Sequence, residues 1–187
     1  MAESDGQKVT DKPMSDFHFF FMSLVFKIRD LFTNPVRFLE EAKITPGARI
    51  LDYGCGPGSY SIAAAELVGD DGKVLALDIY SRAVETVQRK AARRGLSNVE
   101  TICAADPTAL ETESFDLVLL YDTFHMLGDQ RGVLEGVHRA LKPQGLLSFS
   151  DHHMKEAEIV QWLTQDGLFS LLEKGKHTYC LAKSAAT

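Results

Sequence analysis

Ile50-Leu51-Asp52-Tyr53-Gly54-Cys55-Gly56-Pro57-Gly58-Ser59 runs from an apolar strand pattern that ends in a carboxylate, through three glycines at alternate positions, into the start of a helix. Glycine suits such a loop because a sharp turn has no room for a Cβ and a ligand can then lie directly against the main chain. The first turn of the following helix also offers N–H groups that have no partner inside the helix. The spacing separates the ligand classes. A dinucleotide fingerprint is Gly-x-Gly-x-x-Gly, and counted from Gly54 its third glycine would fall at Ser59. No Gly-Lys-Ser/Thr follows for a triphosphate either. The loop therefore reads as a nucleotide-type cofactor cradle without a phosphate signature.

The next segments extend the pattern. Lys73-Val74-Leu75-Ala76-Leu77-Asp78 is a short buried-strand run closing on a carboxylate, at the distance where doubly wound nucleotide folds place the acid that accepts ribose hydroxyls. Residues 99–106 give a third strand ending at Asp106, and residues 115–122 a fourth, beginning Phe115-Asp116-Leu117-Val118. In this order the motifs resemble those of class I S-adenosylmethionine-dependent methyltransferases. That family's first motif, Asp/Glu-x-Gly-x-Gly-x-Gly, is matched by Asp52 to Gly58, and its Phe-Asp-x-Val signature by the start of the fourth strand. The resemblance spans residues 42–183. It implies S-adenosyl-L-methionine as cofactor, leaving as S-adenosyl-L-homocysteine. Asp52 and the backbone at Gly54, Gly56 and Gly58 would hold the methionine part, Asp78 the ribose, Ile79 and Asp106 the adenine, and Tyr121 the wall under the sulfonium, with Tyr53 of the same motif among the cofactor-binding residues. The motif style is similar to the branch of quinone, sterol and arsenite methyltransferases, although the arsenite enzymes' cysteine arrangement is absent.

At 187 residues the chain suits one catalytic domain. A formal net charge of −6 argues against a nucleic-acid groove, and the densest basic run, Arg89-Lys90-Ala91-Ala92-Arg93-Arg94, reads as the solvated face of a helix. Neither an Asn/Asp-Pro-Pro-Tyr/Phe motif nor a Pro-Cys nucleophile follows the fourth strand, which also disfavours a nucleic-acid methyltransferase. Cys55, Cys103 and Cys180 are scattered and odd in number, as expected of reduced thiols in a cytoplasmic protein. No secretory signal is expected at residues 1–16, and the apolar run Phe17 to Phe26 is too short to span a bilayer.

Residues 1–14 lack the apolar content that offsets ordering and read as a disordered tail. Residues 15–42 read as an N-terminal helical lid, with helices over 15–32 and from Asn34-Pro35 onward. Residues 43–187 form the cofactor-binding core. Strand and helix alternate along it: helices are expected over 59–68, over 81–94 with a Ser81 cap, over 129–141 and over 155–165, and the fifth strand over 146–150 after a Lys142-Pro143-Gln144-Gly145 turn. The tail, 168–173 and 178–183, is joined by too short a link for a crossover helix and reads as a hairpin. The expected fold class is α/β: a doubly wound, mostly parallel seven-stranded Rossmann-like sheet with N-terminal helices and a C-terminal antiparallel hairpin. By the family resemblance, its last strand inserts between the fifth and sixth.

Methyl transfer is an in-line displacement, so the protein mainly positions the acceptor, excludes water and removes a proton where the acceptor carries one. Ligands of open α/β sheets sit beyond the carboxyl ends of the strands. There the sequence offers Tyr121-Asp122-Thr123-Phe124-His125-Met126 and Asp151-His152-His153-Met154. His125, His152, His153 and Asp122 are the candidate catalytic residues, imidazole being suited to taking a proton from a thiol, phenol or hydroxyl. The competing reading makes His125 a packing residue and His152-His153 a solvated loop. Consecutive side chains of an extended chain point opposite ways, so one of His152 and His153 is expected in the cleft and the other outside. Asp122, His125, Asp151 and His153 show no helical ligand spacing, and no metal is expected. His18 and His138 read as structural.

The block Phe17 to Phe26 is hydrophobic on more than one face, as suits a lid, a dimer contact or an interfacial contact. The reading is thus a methyltransferase acting on a small-molecule acceptor, monomeric or homodimeric. The alternative is an inactive cofactor-binding sensor or a subunit supporting a partner.

Overall fold

The computed structural model describes residues 35–185. The expectations for residues 1–14, for a helix over 15–32 and for the Phe17 to Phe26 block lie outside the described residues. Five helices and seven strands follow in the order α1 (Pro35–Glu41), β1 (Arg49–Tyr53), α2 (Ser59–Val68), β2 (Lys73–Asp78), α3 (Ser81–Arg94), β3 (Val99–Cys103), β4 (Phe115–Tyr121), α4 (Gln130–Ala140), β5 (Leu141–Ser150), α5 (Glu156–Thr164), β6 (Phe169–Lys174) and β7 (Tyr179–Lys183).

The strands form one seven-stranded sheet in the order β3-β2-β1-β4-β5-β7-β6. Neighbours from β3 to β5 pair in parallel, while β7 runs antiparallel to both β5 and β6. The last strand is thus inserted between the fifth and sixth, as the family resemblance implies. The central strands are apolar on both faces because both are covered. Leu51, Val118, Leu120 and Phe149 pack with α4 and α5 through Val133, Val137, Ile159 and Leu163. Ile50, Leu117 and Leu119 pack on the opposite face with Leu39 of α1 and Ala64, Ala65 and Val68 of α2. Because the order reverses between β1 and β4, the loops leaving those two strands open onto the same switch point.

Three local expectations are corrected. Residue 80, not Ser81, occupies the cap position of α3, and its side chain makes no capping bond; the link from Asp78 is so short that Ser81 already lies in the first turn. β3 ends at Cys103, so Asp106 lies beyond it, capping the short 3-10 turn Pro107–Ala109 by accepting from Thr108 N at 2.8 Å. β5 starts at Leu141 rather than at 146. Leu141 pairs with Phe115 and Leu146 with Leu117, so residues 142–145 swell out of the ladder as an irregularity rather than preceding it as a turn. Asp116, opposite that swelling, accepts from Lys142 Nζ at 2.6 Å and from Arg49 N at 2.8 Å. Its carboxyl is burdened by partial burial, but these bonds and the lysine charge outweigh that and hold it below the usual carboxylate range.

Candidate active site

The loop between β1 and α2 is folded by left-handed glycines, with φ of 75° at Gly54 and 50° at Gly56. Gly54 must be glycine on contact grounds as well, since a Cβ there would meet the Thr123 side chain, with Cγ2 at 2.5 Å. Gly56 differs: a Cβ would find nothing within 4 Å, so its outer face is open. Gly54 N and Cys55 N donate to Leu77 O at 2.8 and 2.9 Å, which ties the loop to the end of β2. There Asp78 Oδ2 accepts from Gly56 N at 2.8 Å and Oδ1 from Tyr80 N at 2.9 Å.

Two buried carboxylates therefore border one open loop. Asp52 is 2% exposed and its hydrogen bond from Ser61 Oγ is 2.5 Å long. Burial above all, opposed by that bond and reinforced by the like charge of Asp78, pushes its carboxyl up to about 6. Asp78 is raised too, by burial that outweighs its backbone hydrogen bonds. Among the described residues neither carboxylate is paired with a cationic side chain. Buried charge without a partner is costly, and such a site gains from a cationic ligand.

The other expected cofactor residues differ in burial. Tyr53 is buried in the core face that carries α4. Ile79 is partly exposed, and its carbonyl accepts from Cys103 Sγ at 3.5 Å. Asp106 is exposed, its carboxyl lowered by the Thr108 hydroxyl and backbone bonds. Tyr121 points into the opposite core face, where its hydroxyl meets Ser148 Oγ at 2.7 Å and burial drives the phenol far above its ordinary value. That phenol is no proton acceptor at neutral pH.

The four candidate catalytic residues do come together, in a crossed arrangement. His125, after β4, is held by Asp151 at the end of β5, whose Oδ2 lies 2.8 Å from Nδ1 and accepts His125 N at 3.0 Å. Conversely His152, after β5, is held by Asp122 at the end of β4, with Nδ1 2.6 Å from Oδ1 and the backbone N at 3.2 Å. A left-handed φ of 50° at Asp122, a conformation that Asp tolerates better than most residues, marks the turn that carries this carboxylate. The His153 ring lies between the other two, its centroid 4.2 Å from that of His125 and 3.9 Å from that of His152. The expected opposition of His152 and His153 is thus wrong, because the chain leaves the extended conformation after Ser150 and strand alternation ends with it. Thr123, two residues before His125, joins this rim to the glycine loop: its hydroxyl donates to Tyr121 O at 3.0 Å and lies 3.4 Å from Gly54 O.

Sequence reasoning missed several members. The sequence offers Asp151 only as a metal-ligand candidate, yet it anchors His125; among the described residues no group of His, Cys, Asp and Glu is placed to hold a metal. Ser61 carries a recognisable signal, since it lies on the first turn of α2 beneath the acid that closes β1. Glu41 carried none. Its carboxylate caps the β6–β7 turn, accepting from Thr178 N at 2.8 Å, His177 N at 2.9 Å and Thr178 Oγ1 at 3.0 Å. Beside it the His177 ring stacks on Phe38 at 4.9 Å, which fastens α1 to the same end of the sheet.

The family model described as "Methyltransferase domain" matches residues 44–184. The chain is similar to the demethylmenaquinone methyltransferase of Geobacillus stearothermophilus, 33% identical over 109 residues, which cover 58% of this chain and 47% of that protein. It is also similar to the aklanonic acid methyltransferase of a Streptomyces species, at 32% identity over 61% of this chain and 52% of the relative. The chain thus spans about half the length of the curated relatives it matches. Among solved structures, a SAM-dependent methyltransferase from Aquifex aeolicus superposes with a TM-score of 0.69 at 25% identity, over 80% of this chain and 88% of that one.

Proposed function

The chain belongs to the methyltransferase domain family, and from that premise we propose that it transfers a methyl group from S-adenosylmethionine to a small-molecule acceptor. The observation that carries the donor is the pair of buried carboxylates, Asp52 and Asp78, around a loop whose Gly56 face is open. The donor, when bound, supplies an electrophilic methyl group on a positively charged sulfur. Asp52 and the backbone of Gly54, Gly56 and Gly58 hold its amino-acid part, Asp78 its ribose hydroxyls, Ile79 and Asp106 its adenine, and Tyr53 and Tyr121 shape the floor beneath.

The chain's own groups then have two tasks. The glycine loop and β2 orient the donor, and the rim built from Asp122, His125, Asp151, His152 and His153 receives the acceptor and its proton. That the two curated relatives are named for small-molecule acceptors supports such an acceptor here. A net charge of −6 disfavours nucleic acid as acceptor, and the three free cysteines suit a reducing compartment such as the cytoplasm. No described helix is long and apolar enough to cross a membrane.

Two measurements test the reading. Calorimetric titration with S-adenosylhomocysteine should show one site per chain. Methyl-labelled donor should then label products in a panel of phenols, thiols and amines. Absence of binding would overturn the proposal, whereas binding without turnover on any acceptor would favour a cofactor-binding protein that is not a transferase.

A further inference from the structure

The two histidine–carboxylate pairs of the rim are not equivalent, and the difference assigns roles. The Asp151 side chain is 0% exposed and His125 only 25%, whereas Asp122 is 11% exposed and His152 59%. Asp151 also has both oxygens committed: Oδ2 accepts from His125 N, and Oδ1 accepts from His153 N at 3.1 Å. A carboxylate whose oxygens already accept backbone N–H groups faces Nδ1 of His125 at 2.8 Å, so the ring nitrogen is the partner that brings the hydrogen. The imidazole is then fixed as the Nδ1–H tautomer, and Nε2 keeps its lone pair. The same carboxylate pins the segments after β4 and after β5, since its donors come from both.

We propose that His125 Nε2 is the group that takes the proton of a protic acceptor, and that Asp151 is the positioning residue that holds it in the accepting tautomer. This deepens the methyl-transfer reading and rests on it for the reaction, though not for the tautomer. The balance is simple: the acceptor's O–H bond breaks and its proton goes to Nε2, the electron pair of that bond makes the new bond from oxygen to the methyl group, the methyl group's former bond to the donor sulfur would break with its pair left on that sulfur as a neutral thioether, and the imidazolium later returns its proton to solvent. His152 and His153 are then neighbours that shape the rim. Thr123, which packs on Gly54, stands two residues before His125 with the buried Phe124 between them, so a short segment links this imidazole to the glycine loop. Met126 beside it is 50% exposed and offers an apolar surface to an acceptor ring.

Nitrogen-15 NMR of the imidazoles, assigned with a His125→Gln variant, tests this without any methyl donor. In the wild-type protein His125 should carry hydrogen on Nδ1 and none on Nε2. In Asp151→Asn, whose amide meets N–H donors on both sides, the preference should be lost or inverted while His152, still held by Asp122, keeps its own. A wild-type His125 protonated on Nε2, or an unchanged tautomer in the variant, overturns the proposal. Because Asp151→Asn removes an acceptor at a buried point, its thermal melt is recorded first, and the wild-type spectrum decides alone if the variant does not fold. In the kinetic arm, with catechol as probe and methyl-labelled donor, Asp151→Asn should lower kcat roughly 10²–10⁴-fold with the donor KM within about threefold. An unchanged kcat in Asp151→Asn overturns the role. Loss of S-adenosylhomocysteine binding in the wild-type protein would sink the methyl-transfer reading and leave the tautomer result standing.

Discussion

Asp52→Asn should make the protein more stable at neutral pH and worse at binding its donor. The Asp52 carboxyl is pushed from 3.8 up to about 6 by burial, so the folded protein holds its proton at pH values where the unfolded chain has released it. The stabilisation linked to that proton is fully present below about pH 4 and is lost as pH rises through about 6. Two units at about 1.4 kcal/mol each give a loss of up to about 3 kcal/mol between pH 4 and 7. Asparagine keeps an oxygen to accept from Ser61 Oγ, now 2.5 Å away, and removes both the desolvated charge and its repulsion of Asp78. Urea unfolding of both proteins at pH 4, 5, 6 and 7 measures the effect as a difference curve, from which all other titrating groups largely cancel. The variant should gain on the wild type steadily across this range, and its affinity for the cationic donor should fall by more than about tenfold, about 1.4 kcal/mol. A flat difference curve, or a variant less stable at pH 7, would refute the claim that the site holds an unfavourable buried charge for a ligand to compensate.

The parts of this molecule that the sequence made legible are those where one local pattern has one structural solution. Apolar runs ending in Asp52, Asp78 and Tyr121 became parallel strands because a sheet covered on both faces admits few other residues, and the left-handed glycines after β1 follow from the turn they make. The short link after Lys174 left a hairpin as the only connection, and the structure has one. What failed depended on geometry at the ends of strands. Strand alternation alone opposes His152 to His153, but the chain turns at Asp151, the His152 ring is set by Asp122, 30 positions away, and the His153 ring lies against His125, also from the segment after β4. Likewise Pro143 and Gln144 signal a turn, and do leave the ladder, yet Leu141 already pairs with Phe115 on the far side of them. Glu41 and Lys176 are 135 positions apart, and no periodicity links a carboxylate in one helix to the backbone of a distant turn.

Three further outcomes follow from the geometry. Gly54→Ala and Gly56→Ala should separate folding from binding: both carry a left-handed strain of about 1–2 kcal/mol, but only the first drives a Cβ into Thr123, so Gly54→Ala should melt markedly lower. Gly56→Ala should stay folded and lose S-adenosylhomocysteine affinity, and equal melts with equal affinities would contradict the open-face assignment. Asp78→Ala should weaken the same ligand by more than tenfold in calorimetry; a change within about threefold, under 1 kcal/mol, would rule out a ribose contact. Glu41→Gln tests the fastening of α1: burial alone would raise this carboxyl, but the N–H groups of His177 and Thr178 and the Thr178 hydroxyl outweigh it, and the net shift is downward. A lowered carboxyl stabilises the fold above its unfolded value near 4.3 and loses that stabilisation as pH falls through the folded value, so the wild type should exceed Glu41→Gln by roughly 1–2 kcal/mol at pH 7 and converge with it in acid. Two stability curves that run parallel down to pH 3 would mean that the Glu41 charge does not hold the β6–β7 turn, and that α1 is kept at the cleft end of the sheet by the Phe38–His177 stack and apolar packing instead.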